Sequence, residues 1–295
     1  MKSNRALLIA LPLLHATASG AVLFSDNFDR ADNANIDASL AGIVDNTGSS
    51  LAADGVYTTP WVDPANAPGA GTPADGGAVR ILGNTLQLAV GAGTSNAYVN
   101  HNFTNSSITT NGNFSVSFEL TANGGTAYQQ GGGFALGMSQ AEADSAEDAF
   151  NNTDPSMTGA FHDLSTIGSA VGANVVSDFW IALRGNNTLA WGGGAGSTIL
   201  GGPVASKFGI VTVDFTLGDF NSGSTVNYEV FYNSASQGTG SFLWSGTDEN
   251  YIGLDSRDGA AVGFDNFIIT TNPVPEPSIT ALAALGIFGL LRRRR

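Results

Sequence analysis

Asp26-Asn27-Phe28 near the start of the chain is echoed by Asp265-Asn266-Phe267 near its end. If the segments carrying these triplets pair as strands, Asp26, Asp29 and Asp265 converge, and carboxylate oxygens in that arrangement suit calcium. The same acids would equally cap turns beside core-facing phenylalanines. Asp255-Ser256-Arg257-Asp258-Gly259 is loosely like a calcium loop but lacks EF-hand spacing, and reads better as a turn between the final strands. Trp61, Trp180 and Trp191 are candidate platforms for stacking on sugar rings, since each has polar or glycine-rich neighbours. A tryptophan on an outward face serves a second packed layer just as well.

Signals for catalysis are poor. Glycoside hydrolysis needs two carboxylates at a set separation, one of them held protonated. Glu119 and Glu229 sit on the polar faces of alternating segments and could meet across a sheet, although solvated side chains account for them more simply. No G-x-S-x-G, H-E-x-x-H or phosphate-binding Gly-Lys-Ser/Thr loop occurs. Beyond the first twenty residues the histidines are His101 and His162. The chain has no cysteine, which removes thiolate catalysis, cysteine-based metal sites and disulfide staples together.

The elements that must position these residues are strands. Phe114, Val116, Phe118 and Leu120 alternate with Ser115, Ser117 and Glu119, and Val211, Val213, Phe215 and Leu217 with Thr212, Asp214 and Thr216. Val226 to Tyr232 and Phe179 to Arg184 show the same period of two, the mark of a strand with one face on a core. Asn-Gly and Asn-Ser-Gly clusters separate them, and 39 glycines suit many tight turns. Ser139-Gln140-Ala141-Glu142 has capping-box spacing and predicts one short surface helix running towards Phe150. Residues 59–77 and 191–203 read as long loops. Many short strands with almost no helix predict an antiparallel β-sandwich.

Both ends differ from this body. Lys2 and Arg5 precede an apolar run from Ala6 to Leu14 and a small-residue Ala16-Thr17-Ala18 site, the pattern of a secretory signal peptide over residues 1–20. At the other end, Pro275-Glu276-Pro277 leads into an uncharged apolar run from Ser278 to Leu291 and then Arg292, Arg293, Arg294 and Arg295. That run would be about 21 Å long as a helix, a marginal membrane span whose arginines would stay at the cytoplasmic surface. Of 11 lysines and arginines, six lie in these ends. The body keeps Arg30, Arg80, Arg184, Lys207 and Arg257 against 24 acids, a net charge of −19. Such a surface repels nucleic acid and anionic lipid and tolerates neutral glycans and divalent cations.

The tail resembles the PEP-CTERM sorting signal of Gram-negative bacteria in order, spacing and terminal position. The resemblance implies recognition by an exosortase-type transpeptidase at the inner membrane, after signal peptidase has acted at the other end, and an association with exopolysaccharide-producing cells. It covers residues 272–295 and implies nothing about the body.

The body opens with Phe24-Ser25-Asp26-Asn27-Phe28-Asp29-Arg30 and carries Gly131-Gly132-Gly133-Phe134-Ala135-Leu136-Gly137 mid-chain. It closes with Val262-Gly263-Phe264-Asp265-Asn266-Phe267-Ile268-Ile269. This order resembles concanavalin A-like or laminin G-like jelly-roll domains of bacterial surface proteins, which bring first and last strands into one sheet. Those domains include lectins, carbohydrate-binding modules, glycoside hydrolases and plain adhesive modules, and the Glu-x-Asp-x-x-Glu strand motif of laminarinase-like members is missing here. The expectation is an exported, non-catalytic surface or matrix protein with a β-sandwich at 21–271, binding glycan or acting structurally. An extracellular carbohydrate-active enzyme, hydrolase or lyase, is the alternative.

Overall fold

The structure is a computed structural model describing residues 20–48, 51–58, 79–88, 95–100, 108, 110, 112–128, 130–145, 158–159, 174–193, 199–257 and 261–271. Residues 1–19 of the signal-peptide segment, the expected loop 59–77 with Trp61, His101, His162 and the whole of 272–295 lie outside the described residues.

Two antiparallel sheets face each other. Sheet A runs, in spatial order, β16 (Ala235–Leu243), β15 (Thr225–Tyr232), β14 (Gly209–Leu217), β7 (Asn113–Asn123), β18 (Val262–Thr271), β1 (Val22–Asp26) and β2 (Ile43–Asp45). β5 (Leu86–Leu88) pairs with the start of β18, and β4 (Val79–Ile81) pairs with β5. Sheet B runs β13 (Ile199–Pro203), β12 (Thr188–Gly193), β11 (Phe179–Arg184), β8 (Gly131–Met138), β17 (Tyr251–Arg257), β6 (Ser95–Asn100) and β3 (Tyr57–Thr58). A short parallel pair, β9 (Thr158–Gly159) with β10 (Asn174–Val175), stands apart, and α1 (Gln140–Ser145) follows β8. The chain crosses between sheets after β2, β3, β5, β6, β7, β13, β16 and β17, so the sandwich has the jelly-roll form the sequence predicts.

The alternating segments account for the core. Inward residues of β7 and β14 are buried phenylalanines and valines, while Ser117, Glu119, Thr212, Asp214 and Thr216 face away. Aromatic rings join the layers: Phe118 of sheet A meets Phe134 of sheet B edge to face at 6.1 Å, and Phe179 of sheet B meets Phe215 of sheet A at 5.2 Å. Such pairs add to the area they bury. The β15–β16 hairpin turns through Asn233 and Ser234, both at positive φ, which matches the twist of the flanking strands.

β18 occupies the middle of sheet A. It bonds β5 and β7 through Val262–Phe264, shifts register at Asp265–Ile268 where Asn266 takes φ +49°, and then pairs with β1 and β7. The first and last described strands are therefore neighbours, with Val22 opposite Thr270. Ala21 donates its amide to Thr271 Oγ1 at 3.0 Å and accepts the Thr271 amide at 2.9 Å.

Three sequence expectations change. The glycine-rich run 191–203 is not a long loop: it contributes the end of β12 and all of β13. Glycine serves there because a Cβ at Gly193 would run into Phe242 of the facing sheet. Asp255, Ser256 and Arg257 lie in β17 and not in a turn, with Asp255 and Ser256 buried. Finally, β11 is buried on both faces, where alternation predicts one.

Candidate functional site

The terminal strands do bring the expected acids to one end of sheet A, but Asp26 is already spent. Its carboxylate is fully buried and holds Arg30 in a two-pronged ion pair, Nη1 to Oδ1 at 2.7 Å and Nη2 to Oδ2 at 2.9 Å. Oδ1 also accepts the Phe28 amide at 2.7 Å, and Oδ2 accepts the Tyr57 hydroxyl at 2.9 Å. Arg30 Nε donates to the Ile36 carbonyl at 2.8 Å. Burial, then the adjoining Asp26 carboxylate, pushes the Tyr57 hydroxyl well above its ordinary 10.0, so it stays a donor. Both Asp26 oxygens are thus committed to pinning the first turn against β3. Asp265 is raised by burial, and further by Glu119, Asp26 and Asp29. Among the described residues no group of three or more acids or histidines is arranged to hold a metal ion.

Of the two roles open to Trp180 and Trp191, the structure takes packing. Trp180 points out of the sandwich but is covered: it packs with Ala135, Met138, Ala143, Ala182 and Ala190, with Val175, Val176 and Tyr251 around the rim. α1 and the β10 region form the lid of this small second core. Trp191 points into the main core. Neither offers a face to a sugar.

α1 starts as its capping box requires. Ser139 Oγ accepts the Glu142 amide at 3.3 Å, while Glu142 Oε2 accepts the Ser139 amide at 2.8 Å. Two further acids crowd this helix end. Burial, then the Glu142 carboxyl, pushes Glu249 from 4.5 to about 8. Burial pushes Asp178 from 3.8 to about 6, against the pull of the Ser245 amide it accepts at 2.8 Å. An acid whose folded pKa exceeds its unfolded one stabilises the fold while protonated. That stability is complete below about pH 4.5 and is lost as pH rises to about 8. The thermal midpoint of a Glu249→Gln variant is therefore expected to fall less than the parent's between about pH 5 and pH 8. Parallel slopes in melts across that range would contradict a strained carboxyl at Glu249.

Glu119 and Glu229 do not meet. Glu229 is level with Asp214 and Ser115, and Glu119 lies four residues further along β7. That is about 13 Å along the strand alone at 3.3 Å per residue, beyond the roughly 5–9.5 Å of glycosidase carboxylates. Glu119 instead accepts Asn266 Nδ2 at 2.9 Å.

What does assemble is a polar groove of about 600 Å³ on the outer face of sheet A. β7, β14, β15 and β16 each contribute outward side chains to it: Asn113, Asp214 and Thr216, Asn227 and Glu229, Thr239 and Ser241. Two cross-strand rows give it order, Asn113–Thr216–Asn227–Ser241 and Asp214–Glu229–Thr239. Asp214 and Glu229 are direct partners in register. Asp214 accepts the Ser115 hydroxyl, and Glu229 accepts the Ser236 hydroxyl at 2.6 Å. Sequence reading identified the outward faces but not this convergence. The signal was available: an Asn221-Ser222-Gly223 turn between Leu217 and Val226 sets a register that puts Glu229 opposite Asp214.

An all-β jelly-roll sandwich carrying a polar groove on one outer face is the class of protein these observations define. The chain carries a PEP-CTERM protein-sorting motif at residues 273–295, which marks it as an exosortase substrate, exported and processed at the membrane of a Gram-negative cell. The motif covers the tail alone, and no curated protein matches the chain. Among solved structures, the Emp47p carbohydrate recognition domain is 11% identical, with 76% of this chain and 92% of that one covered, at a TM-score of 0.40. The binding domain of botulinum neurotoxin DC in complex with SialylT is 11% identical over 89% of this chain and 50% of that one, at 0.42. A sialidase is 10% identical over 65% of this chain, which spans 16% of it, at 0.37. At these values none of them bears on what this chain binds. Among the described residues no helix is long and apolar enough to cross a membrane; the apolar run 278–291 lies outside them.

Proposed function

We propose that the protein is a non-catalytic module of the cell surface or extracellular matrix, sorted by its tail and holding glycan of the exopolysaccharide layer. The observation that carries this reading is spatial. The sorting motif begins at residue 273, two residues after Thr271 closes the middle strand of sheet A. The whole described sandwich is thereby the cargo, with no further module between cargo and signal. Its charge fits a place among neutral polymers and away from anionic lipid.

Deleting residues 273–295 is expected to move the sandwich from the membrane and surface fractions into the medium. Unchanged fractionation in the native host would defeat sorting by the tail. An extracellular glycoside hydrolase or lyase on the same fold is the competing reading. It predicts new reducing or unsaturated ends when the protein is incubated with polysaccharides, and a non-catalytic module releases none.

A further inference from the structure

We propose that the groove on the outer face of sheet A is the glycan site and that it takes an uncharged, hydroxyl-rich saccharide segment. The proposal rests on the glycan-binding reading above and adds to it a place and a ligand class. The groove holds about 600 Å³ and lies open along the sheet face, so it would cradle one side of a saccharide and leave the other to solvent. Four strands at about 4.8 Å spacing give it a width of about 14 Å. Amides at Asn113 and Asn227, hydroxyls at Thr216, Thr239 and Ser241, and carboxylates at Asp214 and Glu229 supply donors and acceptors together, which is what a sugar hydroxyl needs from a surface.

Charge narrows the class. Asp214 and Glu229 face each other directly across β14 and β15. Among the described residues the ion pair is Arg30 with Asp26, at the other end of the sheet. Lys207 donates to the Gly125 carbonyl at 2.6 Å and Arg80 to Gln87 at 3.0 Å, so neither serves the groove. A uronate, sulfate or phosphate group would meet two unneutralised carboxylates on a body of charge −19. A neutral polyol meets two strong acceptors. Like charges directly opposite on a sheet weaken it, so the fold carries a cost here that ligand binding explains.

The test uses the full-length chain in detergent, titrated calorimetrically with maltohexaose, cellohexaose, laminarihexaose and a hexagalacturonate control. At least one neutral hexasaccharide is expected to bind, and the galacturonate to bind none. Asp214→Asn and Glu229→Gln should each weaken binding about tenfold, the loss of one hydrogen bond to a charged group. Their thermal midpoints should equal or exceed the parent's, because like-charge repulsion is relieved. Thr216→Trp, which fills the groove from an outward position, should abolish binding. Neutral binding untouched by all three variants would overturn the groove while leaving the glycan reading standing. Galacturonate binding as tight as the neutral sugar would overturn the charge argument. Binding of no hexasaccharide would overturn both the groove and the glycan reading.

Discussion

Replacing Arg30 with alanine is expected to remove about 3–5 kcal/mol of folding stability, the usual consequence of stranding one member of a buried ion pair. Asp26 is wholly shielded from water, and Arg30 supplies two of the four hydrogen bonds its oxygens accept. Without the guanidinium, a buried carboxylate keeps only the Phe28 amide and the Tyr57 hydroxyl. The Ile36 carbonyl loses its donor as well. A domain of this size has roughly 5–15 kcal/mol in total, so the variant sits near the edge of folding. Removing both charges together, as Asp26→Leu with Arg30→Met, should cost clearly less than Arg30→Ala alone, because no charge is left stranded. Urea unfolding of the three proteins checks this. A single-variant loss under about 1 kcal/mol, the value of an exposed pair, would show that the site is solvated.

Trp180→Ala should cost a similar amount, about 3–5 kcal/mol. The ring fills a compartment whose other walls are mostly alanine: Ala135, Ala143, Ala182 and Ala190. Short walls cannot collapse into the space, so the cavity persists and the penalty falls towards the upper end. α1 and the β10 region lose their floor, and amide exchange in Gln140–Ser145 should accelerate before the sheets open. Trp180→Phe should cost markedly less. Groove binding should be untouched, since Trp180 lies on the outer side of sheet B and the groove on that of sheet A. Weakened sugar binding in a folded Trp180→Phe protein would restore the stacking role that burial argues against.

Much of this fold was legible in the chain because its strands alternate cleanly. β7, β14 and β15 show inward and outward residues to the position, and the echo of Asp26-Asn27-Phe28 in Asp265-Asn266-Phe267 signalled the pairing of β1 with β18. Alternation states which way a side chain points but not what lies beyond it. Trp180 therefore read equally as a sugar platform or as the floor of a second packed layer, and the structure takes the second, with α1 and the β10 region covering it. Asp26 read as a turn cap or a calcium ligand; it does cap the Phe28 amide, but its ion pair was not foreseen because the partner sits four residues on in irregular chain, where no periodicity announces one. The run 191–203 read as loop because of its glycines, yet at Gly193 the strand is bare because it presses on the Phe242 ring, and bareness is also what loops look like. The groove needed register, which emerges only once the hairpin turn is placed.

The position of β18 has a consequence for how the molecule comes into being. A sheet in which an interior rung arrives after every other described strand cannot zip up progressively from its beginning. Until Val262–Thr271 slots in, β7 and β1 present two raw edges separated by a gap. The first rung waits for a neighbour some 250 residues downstream, a long-range closure that makes assembly slow and leaves sticky backbone exposed meanwhile. Completion of the sandwich thus waits until Thr271 is available to pair, and a chain stalled just short of it would be an aggregation hazard and not a shortened version of the native protein.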